Sequence, residues 1–433
     1  MEGSLENGDG HDATHAIEDN SSTISEAESD RKKQTHALII QTISKKIQQW
    51  AYSIAIGTLV VSYWRGLWTL VDIYSCGQND KATLVNGEVF CFSYDIRNSD
   101  RRDSAILSLG IGYFLTILGK FLYSKGWLFH LKNDEATISP TSSTAAITAT
   151  SIHVFRALRR ILILKIFATG GIFTWRGLWY LSDFLIYSEN IILSSWLTVS
   201  LGCLGSLLLC CSSSLCAAPA VVPFQDPSVG AFRTVGSLVR AHLSMSSDST
   251  TNSNYNHLLT LLDLVLTYIF LPLFELWFYR GIWLLEDYYL WGYSESVSDV
   301  NNSIWMSFVI FVICVILSRS IGICIDVSNM NNKSGVVVVH ATSRLQNVIL
   351  GLGSVSFWRG VWYGLEVLLI ANQCSSWISF LLSWVSLVVL GAFANVVFPP
   401  IVDPLSLGDA PNREDGKGDN LPEVYVRWFG ISY

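Results

Sequence analysis

Residues 161–187 read ILILKIFATGGIFTWRGLWYLSDFLIY. One Lys, one Arg and one Asp interrupt an otherwise uncharged stretch. As a helix it is long enough to cross a hydrocarbon core of roughly 30 Å. Comparable runs lie at about 48–74, 104–123, 191–211, 259–291, 303–325, 346–370 and 376–397. A lipid-spanning sheet would have to close into a barrel and would alternate in polarity residue by residue. These runs show no such alternation. The pattern predicts an all-α polytopic membrane protein with eight transmembrane helices.

Composition agrees. Of 433 residues, 50% are hydrophobic and only 15% charged, against about 25% charged in soluble proteins. The net charge of −7 argues against a nucleic-acid partner, which would need a basic face. The chain carries no P-loop, no H-E-x-x-H, no G-x-S-x-G and no dinucleotide fingerprint. His11 and His15 alone have a helical metal-ligand spacing, and they lie in a polar tail. The expectation is a non-enzymatic protein with no catalytic residues, cofactor or metal, whose first partner is the lipid bilayer.

Residues 1–45 are expected to form a disordered acidic tail. Residues 46–405 would form the eight-helix domain and 406–433 a C-terminal tail. Connections alternate between long and short, which groups the spans into four helical hairpins at about 46–125, 157–215, 257–325 and 345–400. All four would insert the same way, as parallel repeats. Lys and Arg concentrate on the N-terminal side, at Lys45, Lys46, Arg156, Arg159, Arg160, Arg240 and Arg344 among others. This places both termini in the cytoplasm. The first loop on the opposite side, with Lys81, Arg97, Arg101 and Arg102, is the exception. Cys76 and Cys91 would then lie in an extracellular loop, as a candidate disulfide or as two unpaired thiols.

One motif recurs. Trp64-Arg65-Gly66-Leu67-Trp68 is followed by Asp72. Trp175-Arg176-Gly177-Leu178-Trp179 is followed by Asp183, Tyr279-Arg280-Gly281-Ile282-Trp283 by Asp287, and Trp358-Arg359-Gly360-Val361-Trp362 by Glu366. The interval from Arg to acid is the same in every copy, which marks an internal repeat. Each copy falls in an odd-numbered span. Two Pro-containing exits, Pro219–Pro223 and Phe398–Val402, follow the fourth and eighth spans and point to an older duplication of a two-hairpin half.

Seven positions are nearly two helical turns, so Arg and acid share a face, with Cα atoms about 10.5 Å apart. That is long for a pair within one helix. A pair between neighbouring repeats is easier, and four such pairs could link the hairpins into a ring. The glycine lets another backbone approach, and the tryptophans suit an aromatic belt. The ring could be structural, a conduction path, or a ligand or lipid-headgroup site. Glu275 stands apart as an acid deep in the fifth span. Its counterparts in the other repeats are Val60, Gly171 and Ser354. An intramembrane acid is a functional candidate by default, with a nearby Arg such as Arg280 as its structural explanation.

Eight spans, cytoplasmic termini and the W-R-G-x-W helices at Trp64–Trp68, Trp175–Trp179, Tyr279–Trp283 and Trp358–Trp362 together resemble the Fuseless family. The likeness runs over roughly residues 45–405. Members are eight-pass membrane proteins of insects and other invertebrates that act in neurons. The resemblance implies a presynaptic plasma-membrane protein tied to the placement of voltage-gated calcium channels and active-zone proteins, and so to evoked transmitter release. It supplies no catalytic residues. Tyr279 replaces Trp in the third copy and Glu366 replaces Asp in the fourth.

Overall fold

A computed structural model describes residues 12–75, 83–85, 88–90, 99–122, 143–186, 190–209, 212–216, 261–262, 265–291, 297–330, 336–369, 373–390, 392 and 396. The described residues form the helices α1 (Asp12–Ser75), α2 (Ser99–Leu122), α3 (Ser143–Ile186), α4 (Ile191–Leu208), α5 (Leu271–Glu286), α6 (Val297–Met330), α7 (Val336–Leu368) and α8 (Gln373–Val389). A short antiparallel ribbon, Thr83–Val85 with Glu88–Phe90, lies between α1 and α2. A 3-10 turn, Ser212–Leu215, follows α4. Two π-helical turns, Leu266–Phe270 and Asp287–Trp291, bracket α5.

The chain is an all-α membrane protein. Among the described residues five helical stretches, against the eight spans expected, are long and apolar enough to cross a bilayer, namely Lys33–Tyr74, Ile161–Ile186, Ile191–Leu208, Tyr268–Leu290 and Ser298–Cys324. Gln373–Val389 is apolar but shorter. Burial follows the logic of a lipid solvent rather than water. Large apolar side chains such as Leu107, Phe114, Ile117, Ile313 and Ile316 point outward. The interior holds small hydroxyl residues and the four motif arginines.

Two compact units divide at residue 53. The first contains the start of α1, which begins at Asp12, inside the segment whose composition predicts disorder. Its Ala, Glu, Lys and Gln residues are good helix formers. The second unit, residues 54–433, holds everything that follows.

Within that unit the tightest packing is α2 on α3, α4 on α5 and α6 on α7. Each even helix thus packs on the odd helix of the next repeat. The hairpins expected from the short connections are joined in sequence, but they are not the packing units. α8 meets α1 in the same way. A Cβ on Gly66 would lie 2.6 Å from the Phe380 nitrogen and 2.8 Å from the Ser376 oxygen. On α3, a Cβ on Gly177 would lie 2.7 Å from the Leu109 nitrogen and 2.8 Å from the Ala105 oxygen. At these two crossings only glycine allows the backbones to touch.

Candidate functional site

The motif arginines are 0–2% exposed. Each is held on an odd helix that an even helix of the preceding repeat covers. Arg176 on α3 donates through Nε to Asp72 on α1 at 2.8 Å, and through Nη1 and Nη2 to Ser108 and Ser104 on α2 at 2.5 and 3.1 Å. Arg359 on α7 repeats the pattern. Its Nε reaches Asp287 at 2.8 Å, and Nη1 and Nη2 reach Ser307 and Ser303 on α6, each at 2.7 Å. Arg280 on α5 takes Asp183 on α3 at 2.7 Å. Three arginines therefore pair with the acid of the preceding repeat, and charge-assisted bonds of this kind are roughly twice as strong as neutral ones.

The fourth junction differs. All three guanidinium nitrogens of Arg65 lack a hydrogen-bond partner among the described residues, although Arg65 is 0% exposed. The acid in register, Glu366, is within electrostatic reach. It instead accepts the indole N–H of Trp362 at 2.8 Å.

Inside the latches the aromatic residues form two layers. The layer of Trp68, Trp179, Trp283 and Trp362 closes on itself. Successive ring centroids lie 6.0, 6.0, 5.7 and 6.1 Å apart, with interplanar angles of 89°, 89°, 88° and 87°. Each edge-to-face contact is worth about 0.5–1.5 kcal/mol beyond its buried area. The four rings form a closed, half-buried tetrad between the odd helices. One turn toward the N-terminal ends of the odd helices lie Trp64, Trp175, Tyr279 and Trp358. Here Trp175 meets Tyr279 at 5.2 Å, and Trp64 meets Trp175 and Trp358 at 5.7 and 5.5 Å.

A further turn toward the N-terminal ends, on the same helical face, lie Val60, Gly171, Glu275 and Ser354. All four are buried. Both carboxylate oxygens of Glu275 lack a hydrogen-bond partner among the described residues, with the Ser214 hydroxyl beside them. Arg280 is committed to Asp183, so the structure does not pair it with Glu275. Cys76 and Cys91 lie outside the described residues.

A family model described as Fuseless matches residues 41–216 and 258–405. The chain belongs to the Fuseless family. No curated protein and no solved structure matches it.

In this Fuseless chain a twofold relation is laid over the fourfold one. Tyr180 donates to both oxygens of Asp72 at 2.9 and 3.0 Å and accepts from Trp68 at 3.4 Å. Tyr363 donates to Asp287 at 3.1 and 3.2 Å and accepts from Trp283 at 3.3 Å. The guanidinium carbons of Arg176 and Arg359 lie 4.8 and 5.0 Å from the centres of these tyrosine rings, a cation–π geometry. Leu215 and Val396, which follow α4 and α8, accept from the Tyr279 hydroxyl and the Trp64 indole at 3.1 Å each. The first two repeats thus correspond to the last two.

The sequence reading missed two parts of this site. One is a second motif on the even helices, Ser104-x-x-x-Ser108, Ser194-x-x-x-Thr198, Ser303-x-x-x-Ser307 and Ser375-x-x-x-Ser379. Its four-residue spacing puts both hydroxyls on one helical face, and a tryptophan sits between them in three copies. The other is Glu286, 7% exposed, which accepts from Ser307 at 3.1 Å and from Ser356 and lies 3.9 Å from Arg359. Its counterparts Val71, Ser182 and Leu365 carry no charge, so the repeat pattern gave no signal for it.

Proposed function

We propose that this Fuseless-family protein is a non-enzymatic, eight-span organiser of the presynaptic plasma membrane, with both termini cytoplasmic, that sets where calcium channels sit and so supports evoked transmitter release. The presynaptic part of this reading rests on family membership. The single observation that carries the organiser over a pore is the direction of the motif charges. Arg176, Arg280 and Arg359 are spent on contacts between repeats, around a closed tetrad of tryptophan rings. The ring holds the helices in a fixed arrangement and leaves outer loops and tails to meet partners. The deciding experiment is a null allele scored for channel clustering at active zones and for evoked release. Loss of both is expected, with rescue by the wild-type chain. Unchanged clustering and release would overturn the reading.

An ion channel or transporter with its path between the repeats is the second reading. The buried Glu275 carboxylate, without a hydrogen-bond partner among the described residues, favours it. Purified protein in liposomes would show selective flux under this reading and none under the first.

A further inference from the structure

Glu275 is fully buried, one helical turn beyond the two aromatic layers on the same face of its helix. Its own side is irregular. The π-helical turn Leu266–Phe270 and then Pro272 lead directly into it. The 3-10 turn Ser212–Leu215 enters the same region after α4, with Leu215 0% exposed. π-helical turns are frequent at functional sites. Non-helical backbone at membrane depth is tolerated where it is buried in protein or lines a cavity, and broken helices of this kind form ion sites in transporters.

Neutral oxygen groups lie beside Glu275. Tyr279, one turn along the same helix, is in electrostatic contact with it. The Tyr279 hydroxyl donates to the Leu215 carbonyl at 3.1 Å. Ser214 lies beside the carboxylate, and Ser354 lies beside Tyr279 from α7. Cys216 is a further titratable group, in electrostatic contact with Tyr279. Among the described residues no Lys or Arg forms an ion pair with Glu275, and no group of three His, Cys, Asp or Glu could hold a metal ion. One acid among neutral oxygens matches a single positive charge. A bare carboxylate at this burial costs several kcal/mol. The related half of the molecule has Val60 at this position, so the packing of the ring does not require an acid here.

We propose that Glu275 is an occluded site for one exchangeable monovalent cation, a proton or an alkali ion, with the Ser214 and Tyr279 hydroxyls and the Leu215 carbonyl as its neutral partners. The site is inherent to the fold and does not depend on the presynaptic reading.

The test uses the full-length protein in lipid nanodiscs and dicyclohexylcarbodiimide, which modifies protonated carboxyl groups in apolar surroundings. Modification at Glu275 is read by peptide mass spectrometry across a pH series, in sodium, lithium, potassium or choline chloride. Labelling should rise as pH falls. Suppression by several-fold in sodium or lithium relative to choline identifies an alkali ion that competes with the proton. A pH response that no alkali ion alters identifies the proton alone. Labelling that is flat across pH and salt would show a permanently protonated core acid and overturn the proposal, as would no labelling under any condition. Glu275→Gln removes the label and serves as the assignment control. The wild-type readout stands even if that variant does not fold.

Discussion

Glu366 turns back along its own helix to the indole N–H of Trp362 at 2.8 Å, and Arg65 is left with no hydrogen bond among the described residues. At the other three junctions an aspartate in this position reaches the arginine of the next repeat at 2.7–2.8 Å. Glutamate is one methylene longer, and four positions from Trp362 it can satisfy its helix neighbour instead. The ring thus has three closed latches and one open one. The open one lies where the last repeat meets the first.

This asymmetry ranks the arginine substitutions. Arg359→Ala leaves Asp287 and Glu286 buried without their cation, a change that typically costs about 3–5 kcal/mol. Arg65→Ala removes a buried charge that has no hydrogen-bonded partner, so it should cost far less or stabilise. Thermal unfolding of the purified variants in detergent checks the order. A larger loss for Arg65→Ala than for Arg359→Ala would contradict the open latch.

Pairwise coupling sharpens the point. A double-mutant cycle on Arg176→Ala and Asp72→Asn should give a coupling energy of about 0.5–3 kcal/mol, as for groups in direct contact. The same cycle on Arg65→Ala and Glu366→Gln should fall near zero. Equal couplings would mean that the fourth pair closes in the membrane as the others do.

Much of this was legible in the sequence, and the unread parts have physical causes. The constant Arg-to-acid interval of seven was too long for a pair within one helix and so pointed between repeats, where Arg176 meets Asp72. The alternation of long and short connections gave the order of the helices. It did not give their packing partners, because a tight turn fixes which helices are consecutive and not which share a face. The glycine and the Ser-x-x-x-Ser/Thr stripes carry that information, since small residues mark where backbones approach. Serines 104, 108, 303 and 307 look like filler until the guanidinium they face is known. The conduction reading of the ring likewise depended on side-chain direction, which spacing does not encode.

The glycine crossings yield a prediction with its own control. Gly177→Ala forces a Cβ to within 2.7 Å of the Leu109 nitrogen, and Gly66→Ala to within 2.6 Å of that of Phe380. Rigid backbone on both sides cannot yield cheaply, so each change should cost about 1–3 kcal/mol or more. A Cβ at Gly364 meets nothing within 4 Å, so Gly364→Ala should be neutral or slightly stabilising through helix propensity. Yields of monodisperse protein and melting temperatures for the three variants test this. A destabilised Gly364→Ala beside an unaffected Gly177→Ala would refute the crossing geometry.

The tryptophan tetrad makes a claim about the axis as well as about stability. Trp179 gives ring contacts to Trp68 and Trp283, each at 6.0 Å. Trp305 is 69% exposed on the outer surface of α6. Trp179 is only half-buried, so Trp179→Ala should lower stability by about 0.5–3 kcal/mol, and Trp305→Ala by less. Trp175 and its layer still stand behind Trp179, so vesicles holding the single variant should remain tight. Removing both layers at one corner, with Trp175→Ala and Trp179→Ala together, opens a continuous gap along α3 toward Glu275. Proteoliposomes carrying that double variant should leak protons or small cations, and those carrying wild type or Trp305→Ala should not. A leak of equal size in wild type would show that the axis is not sealed by these rings, and the ring would then have to be read as part of a path.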